Sequence, residues 1–260
     1  MEHPGSTPLP SLPQTGRLDR VDRADRVDRA DGADRLASTT WTAIASAQGP
    51  PPILVVPVGS CEQHGPHLPI ATDTLIAEAL SARLVQRLGA ARCPALVAPS
   101  LTITASGEHH GFAGTLSIGT EALQLVLIEL VRSADWSAGM VLVNGHGGNY
   151  EPVTRAVDVS VAEGRSVLAW WPVVPGGDPH AGMVETSIML AEHPELVNMD
   201  AAAAGPVPSM TELRAVGVKA VSPSGVLGNP AEADAATGHE LLAMLTADLV
   251  AAVERWRPQS

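Results

Sequence analysis

An apolar run, Ile53-Leu54-Val55-Val56-Pro57-Val58-Gly59, breaks abruptly into a loop crowded with ligand-type side chains, Glu62-Gln63-His64-Gly65-Pro66-His67-Leu68-Pro69-Ile70-Ala71-Thr72-Asp73. The run has no polar alternation, so it reads as a strand buried on both faces, as in parallel sheets covered by helices. Gly59, Gly65, Pro66 and Pro69 cannot continue it. The loop therefore lies at a strand's carboxyl end, the edge where open α/β sheets bind ligands. Glu62, His64 and Asp73 are good donors for a divalent metal. Taken alone, the glutamate would be a solvated loop residue and Asp73 an N-cap for a helix beginning at Thr74.

The pattern repeats along the chain. A helical period over residues 74–88 (Leu75, Ile76, Ala79, Leu80, Leu84, Leu88) stops at Gly89. A second strand is expected at 95–99, followed by a Gly-rich loop carrying Glu108 and His109. A helix over 121–136 leads to a strand at 140–143, which ends in Asn144-Gly145-His146-Gly147-Gly148-Asn149. Three glycines around one histidine let the backbone turn sharply there. A helix at about 150–163, a strand at 166–171 and a loop bearing Asp178 and His180 follow, and Glu185 opens a helix. Strands alternating with helices predict a mostly parallel sheet with helices on both faces. Residues 216–226 read as a strand or hairpin, and 231–256 as an amphipathic helix.

Composition bounds the rest. Hydrophobic residues are 45% of 260, enough for one large packed domain, but aromatics are only 3%, so the core is aliphatic. A net charge of −12 argues against nucleic-acid binding by a basic patch. Cys61 and Cys93 form no CxxC, so neither a disulfide framework nor a thiolate zinc site is expected. With no leader-like apolar segment and no long apolar run, a cytoplasmic protein without membrane contact is expected. Residues 1–38 stand apart: an Arg-x-Asp repeat from Arg17 to Asp31 has little surface to bury and is expected to be disordered, with the folded domain over 42–257.

Four consecutive strand ends thus carry Glu62/His64/Asp73, Glu108/His109, His146 and Asp178/His180/Glu185. Imidazoles and carboxylates without thiolates suit one or two ions such as zinc, iron or manganese in a catalytic site. A metal-binding scaffold without catalysis would need a closed coordination sphere, which this donor set does not suggest.

The stretches Pro57-Val58-Gly59-Ser60-x-Glu62-Gln63-His64-Gly65-Pro66-His67-Leu68-Pro69-x-x-Thr72-Asp73, Asn144 to Asn149, and His180-Ala181-Gly182-x-x-Glu185-Thr186-Ser187 resemble the creatininase family of metal-dependent amidohydrolases. The resemblance implies a three-layer αβα sandwich, a dinuclear metal site and a homo-oligomer. It places Glu62, His64, Asp73 and His146 on family metal ligands, with Asp73 as the bridge. Creatininase itself has a glutamate where this chain has Gly148, so the fifth ligand is expected from Glu185, and creatinine is a poor substrate guess. The loops around Glu108, Asp178 and Gly225 are similar to those of a branch that trims a modified ribosomal precursor peptide. The alternative is a relative acting on a small or cyclic amide. His180, just ahead of Glu185, is the candidate proton donor. His109 is its competitor, and Glu108, His109 and Asp178 are expected to contact substrate.

Because the repeat lacks buriable surface, a chain starting near Ser38 should match the full-length protein in melting temperature and turnover. A clear fall in either would give residues 1–38 a role in the enzyme.

Overall fold

The computed structural model describes residues 34–256. The Arg-x-Asp repeat and the expectation of disorder placed on it lie outside the described residues. Residues 34–38 are described, and there the expectation needs correcting. Arg35 bridges to Val97, and Leu36 packs against the core because it is the one large apolar side chain in that stretch. A truncation that removes only the repeat belongs before Arg35.

A short helix α1 (Trp41–Ser46) is capped by the Thr40 hydroxyl, which accepts from Ala43 N at 3.2 Å. Four parallel strands follow, β1 (Ile53–Val58), β2 (Ala95–Val97), β3 (Gly139–Asn144) and β4 (Val167–Trp170), in the spatial order β2-β1-β3-β4. The second strand is shorter than its apolar run suggested: Ala98 N still donates to Val55 O at 2.8 Å, but the next donor to β1 is Leu101, to Pro57 O at 2.9 Å, so the regular ladder breaks after Ala98. Between them run α2 (Thr72–Ala90), α3 (Thr120–Ser133) and α4 (Tyr150–Ala162), and after them α5 (Met183–Glu192), α6 (Met210–Val216), α7 (Val218–Val221) and α8 (Ala235–Trp256).

Side-chain alternation along β1 sorts the helices into two layers. Ile53 and Val55 pack with Leu80 and Leu84 of α2, Ile188 and Met189 of α5, and Leu242, Leu245 and Leu249 of α8. Leu54, Val56 and Val58 face the other way, onto Leu123, Leu127 and Val131 of α3 and Val153 and Ala156 of α4. The result is the three-layer α/β sandwich the sequence predicts. Each buried Leu or Ile contributes roughly 1.5–3 kcal/mol. Helix α8 is long and apolar enough to cross a membrane by length and composition, yet its buried stripe closes one layer of this core.

Register positions the functional edge. Residues pair from Ile53↔Gly139 to Val58↔Asn144, so β1 and β3 end side by side at the centre of the sheet. The loops after them leave from adjacent points.

Residues 216–226 correct the strand expectation. Valines alternating around Gly217 mimic a strand, but Ser209-Met210-Thr211-Glu212 is a helix start, with Ser209 Oγ accepting from Glu212 N at 3.2 Å. Gly217, at φ +77°, then separates α6 from α7. Only a bridge between Leu227 and His180 survives from the expected pairing. The last helix also starts later than expected, at Ala235, after a 3₁₀ turn at Pro230–Glu232.

Helices α5 and α8 touch through bare backbone. A Cβ on Gly238 would lie 1.9 Å from the Ser187 carbonyl oxygen. Alanine ordinarily gains about 1 kcal/mol over glycine inside a helix. Here Gly238→Ala must push the two helices apart, and a net loss of about 1–3 kcal/mol is expected, read from the denaturation midpoint.

Candidate metal centre

The loop after β1 is fixed before any ligand is considered. Gly59 runs so close to the start of α2 that a Cβ there would lie 2.2 Å from Thr74 Oγ1. Thr74 Oγ1 donates to Ser60 O at 3.1 Å, and Ser60 Oγ donates to Asp73 Oδ2 at 2.8 Å. Asp73 lies in the first turn of α2, inside the helix rather than at its cap, and is buried. Asn149 ties three strand ends together: its Nδ2 donates to Gly59 O (2.9 Å) and Asn144 Oδ1 (3.0 Å), and its Oδ1 accepts from Ala105 N (3.2 Å).

These ties bring the expected ligands to one spot. His64 Nε2 lies 3.0 Å from Asp73 Oδ1 and 3.9 Å from Glu185 Oε2. His146 Nδ1 lies 3.1 Å from Asp73 Oδ2, and its Nε2 lies 3.1 Å from Glu62 Oε2 and 3.2 Å from Glu108 Oε1. His109 Nε2 lies 3.2 Å from Glu62 Oε1, and His180 Nδ1 lies 3.8 Å from the same oxygen. Glu62 is 0% exposed, yet neither of its carboxylate oxygens receives a directed hydrogen bond. An unpaired buried carboxylate is costly. The approaches of His64 Nε2 and His146 Nδ1 to Asp73, 3.0 and 3.1 Å, match ligands about 2.1 Å from one ion, which lie about 3.0–3.4 Å apart.

Two donor groups, Glu62–Asp73–His146 and His64–Asp73–Glu185, share Asp73. The histidine tautomers suit this role. His64 Nδ1 donates to Glu62 O (3.1 Å), leaving Nε2 for the second group, and His146 Nε2 donates to Ala105 O (2.9 Å), leaving Nδ1 beside Asp73. The residues present therefore fit divalent metal.

The protonation pattern has the same origin. Burial pushes the Glu62 carboxyl up to about 8 and the Glu185 carboxyl to about 7. Burial opposes charge on His64, but the Asp73 carboxylate overrides it and lifts the imidazole to about 9. Asp73 is held well below the carboxylate range, with His64 and His146 outweighing its burial. Glu62 and Asp73 likewise raise His146 against its burial. Burial, with His64 and His109 nearby, keeps His180 well below its usual range, and burial lowers His109 to about 4. Without a cation the cluster balances its charge with protons; a bound ion takes their place.

A cavity of about 1110 Å³ opens above this cluster, with Asp73, His146, His180 and Glu185 on its floor and Tyr150 and Lys219 on its walls. Tyr150 packs edge-on to Trp171, with ring centres 4.8 Å apart. Lys219 Nζ sits over the Phe112 ring, 4.9 Å from its centre.

Glu62, His64, Asp73, Glu108, His109, His146, His180 and Glu185 all converge here. Asp178 does not. Its carboxylate accepts from Met183 N, Val184 N (3.1 Å) and Asn229 N (3.2 Å), capping α5 from a distance in sequence, so the expected substrate contact is replaced by a structural one. Gln63 went unnoticed in the sequence. Its Nε2 donates to His109 Nδ1 (2.9 Å) and Gly225 O (3.2 Å) and lies 3.0 Å from His180 Nε2, and its backbone carbonyl accepts from His180 Nε2 (2.9 Å). Its place directly beside two ligand-type residues was the available signal.

The creatininase (creatinine amidohydrolase) family model matches residues 37–253. The chain is 47% identical over 235 residues to the mycofactocin precursor peptide peptidase of Mycobacterium tuberculosis (strain CDC 1551 / Oshkosh), covering 86% of this chain and 92% of that one. Among solved structures, a creatininase point mutant superposes with a TM-score of 0.74 at 25% identity, over 87% of this chain and 99% of that one. Another creatininase variant, described as a zinc–zinc type, matches at TM-score 0.71 and 25% identity, over 86% of this chain and 98% of that one.

Since Asp73 belongs to both donor groups, Asp73→Ala is expected to strip the protein of all bound metal. Elemental analysis showing undiminished metal in that variant would exclude a bridging role for Asp73.

Proposed function

The chain belongs to the creatininase family, and from that premise we propose that it is a metal-dependent peptidase releasing the modified C-terminal Val-Tyr dipeptide from the mycofactocin precursor peptide. The observation that carries this reading is the 47% identity, across nearly the whole of both chains, to a mycofactocin precursor peptide peptidase. The cavity supports it: about 1110 Å³ has room for a peptide end, well beyond what a small cyclic amide fills.

In this reading Glu62, Asp73 and His146 would hold one divalent ion, and His64, Asp73 and Glu185 a second. Zinc, iron and manganese all suit such imidazole–carboxylate donors. Bound metal there supplies Lewis acidity toward the scissile carbonyl and a lowered pKa for water.

His180 moves the proton. With the two Gln63 amide hydrogens given to His109 and Gly225, its Nε2–H donates to the Gln63 carbonyl, which leaves the Nδ1 lone pair turned toward the centre. Burial keeps the ring neutral at physiological pH. A neutral imidazole must take a proton before it gives one. His180 Nδ1 therefore accepts the proton of the attacking water and passes it to the leaving amine. His109 is turned the other way. Gln63 donates to its Nδ1, so Nε2 carries the hydrogen and faces Glu62 and the cavity.

A ribosomally made precursor as substrate supports a cytoplasmic enzyme. A homo-oligomer would cover apolar side chains that the single chain leaves exposed, among them Trp41, Leu116 and Leu125.

Mass spectrometry of the protein incubated with the modified precursor tests the activity. Release of the terminal dipeptide unit is expected, and an intact precursor alongside hydrolysis of a cyclic amide would reassign the substrate. His180→Ala should lower kcat by roughly 10²–10⁴-fold with metal content unchanged. A rise in KM alone would make His180 a binding residue.

A further inference from the structure

Gly148 leaves an opening beside His146 that a neighbouring carboxylate fills. A Cβ on residue 148 would lie 2.1 Å from Glu108 Oε1, 2.5 Å from His146 Nε2 and 2.6 Å from Ala105 O. Those three atoms meet only because position 148 has no side chain. His146 Nε2 donates to Ala105 O at 2.9 Å, and Glu108 Oε1 lies 3.2 Å from the same nitrogen. On the opposite side of the ring, His146 Nδ1 faces Asp73 Oδ2 at 3.1 Å.

We propose that Glu108 is the positioning carboxylate of His146, admitted by Gly148 and acting with the Ala105 carbonyl to hold the hydrogen on Nε2 and present the Nδ1 lone pair to the metal beside Asp73. The inference rests on the metal-centre reading above.

Three features fit this role better than substrate contact alone. Glu108 is carried on a short 3₁₀ turn, Gly107–His109, whose next residue His109 is buried and fixed by Gln63. The turn is thus anchored on the side facing the centre. A backbone carbonyl alone fixes the tautomer of an imidazole; adding an anion raises the basicity of the opposite nitrogen as well. Finally, Glu62 Oε2 also lies 3.1 Å from His146 Nε2, but its carboxylate is shared with His109 and His180, whereas among the described residues His146 is the one ring with a nitrogen within 4 Å of the Glu108 carboxylate.

The test is zinc binding by the full chain, measured by competition with a chelator, for wild type, Glu108→Ala and Glu108→Gln, with melting curves of the metal-free proteins to confirm folding. Losing such an outer partner lowers metal affinity by roughly 10–100-fold, and that is the fall expected for Glu108→Ala. Glutamine keeps an acceptor oxygen but not the charge, so Glu108→Gln should recover only part of the loss, while both variants bind as many zinc ions as wild type. Wild-type affinity in Glu108→Ala would overturn the proposal and leave Glu108 a substrate contact. Fewer zinc ions in Glu108→Gln, as low as in Glu108→Ala, would overturn it by making Glu108 itself a ligand. A wild-type chain that takes up no zinc, manganese or iron would sink the metal-centre reading and this inference together.

Discussion

Two buried carboxylates, Glu62 and Asp73, are the constraint on which the rest of the structure turns. Removing a carboxylate from water costs several kcal/mol unless charge and hydrogen bonds replace the lost hydration. Asp73 has that compensation in Ser60, His64 and His146. Glu62 has ring nitrogens at contact distance, without directed hydrogen bonds. The surrounding polar network, Asn149 and Thr74 above all, bonds to backbone rather than to the carboxylates. It holds the loops in place while leaving the donors free. Such a site sacrifices local stability for a cluster of buried, under-bonded carboxylates, and the aliphatic core on both faces of the sheet offsets that loss.

Much of this was legible in the sequence for identifiable reasons. The strands β1 and β3 are unbroken apolar runs ended by Gly-rich loops, and α2 and α3 show clean helical periods, so the order of elements and the layered sheet could be read directly. So could the metal-donor residues, because histidines and carboxylates recur at successive strand ends. What could not be read depends on contacts between distant residues. Asp178 looks like a site residue because it sits next to His180, and nothing local shows that its carboxylate reaches forward to Val184 and Asn229. Gln63 joins His109 to the His180 loop across wide gaps in the chain. Residues 216–226 misled because valines spaced around a glycine satisfy a strand pattern, whereas the Ser209 cap that commits the preceding stretch to helix lies outside the window.

The parallel register has a consequence for how the protein is made. The donors come from the ends of β1 and β3, from the start of α2 and from the start of α5, and Val58 opposite Asn144 is what brings the first three together. Parallel pairing requires long crossovers, so these contacts join residues far apart in the chain and form slowly. In the unfolded chain only Glu62 and His64 are near neighbours, too few to hold an ion tightly. Metal therefore cannot template the fold. An ion held there would bind a sheet already assembled and act as a latch on the finished chain, stabilising it by mass action.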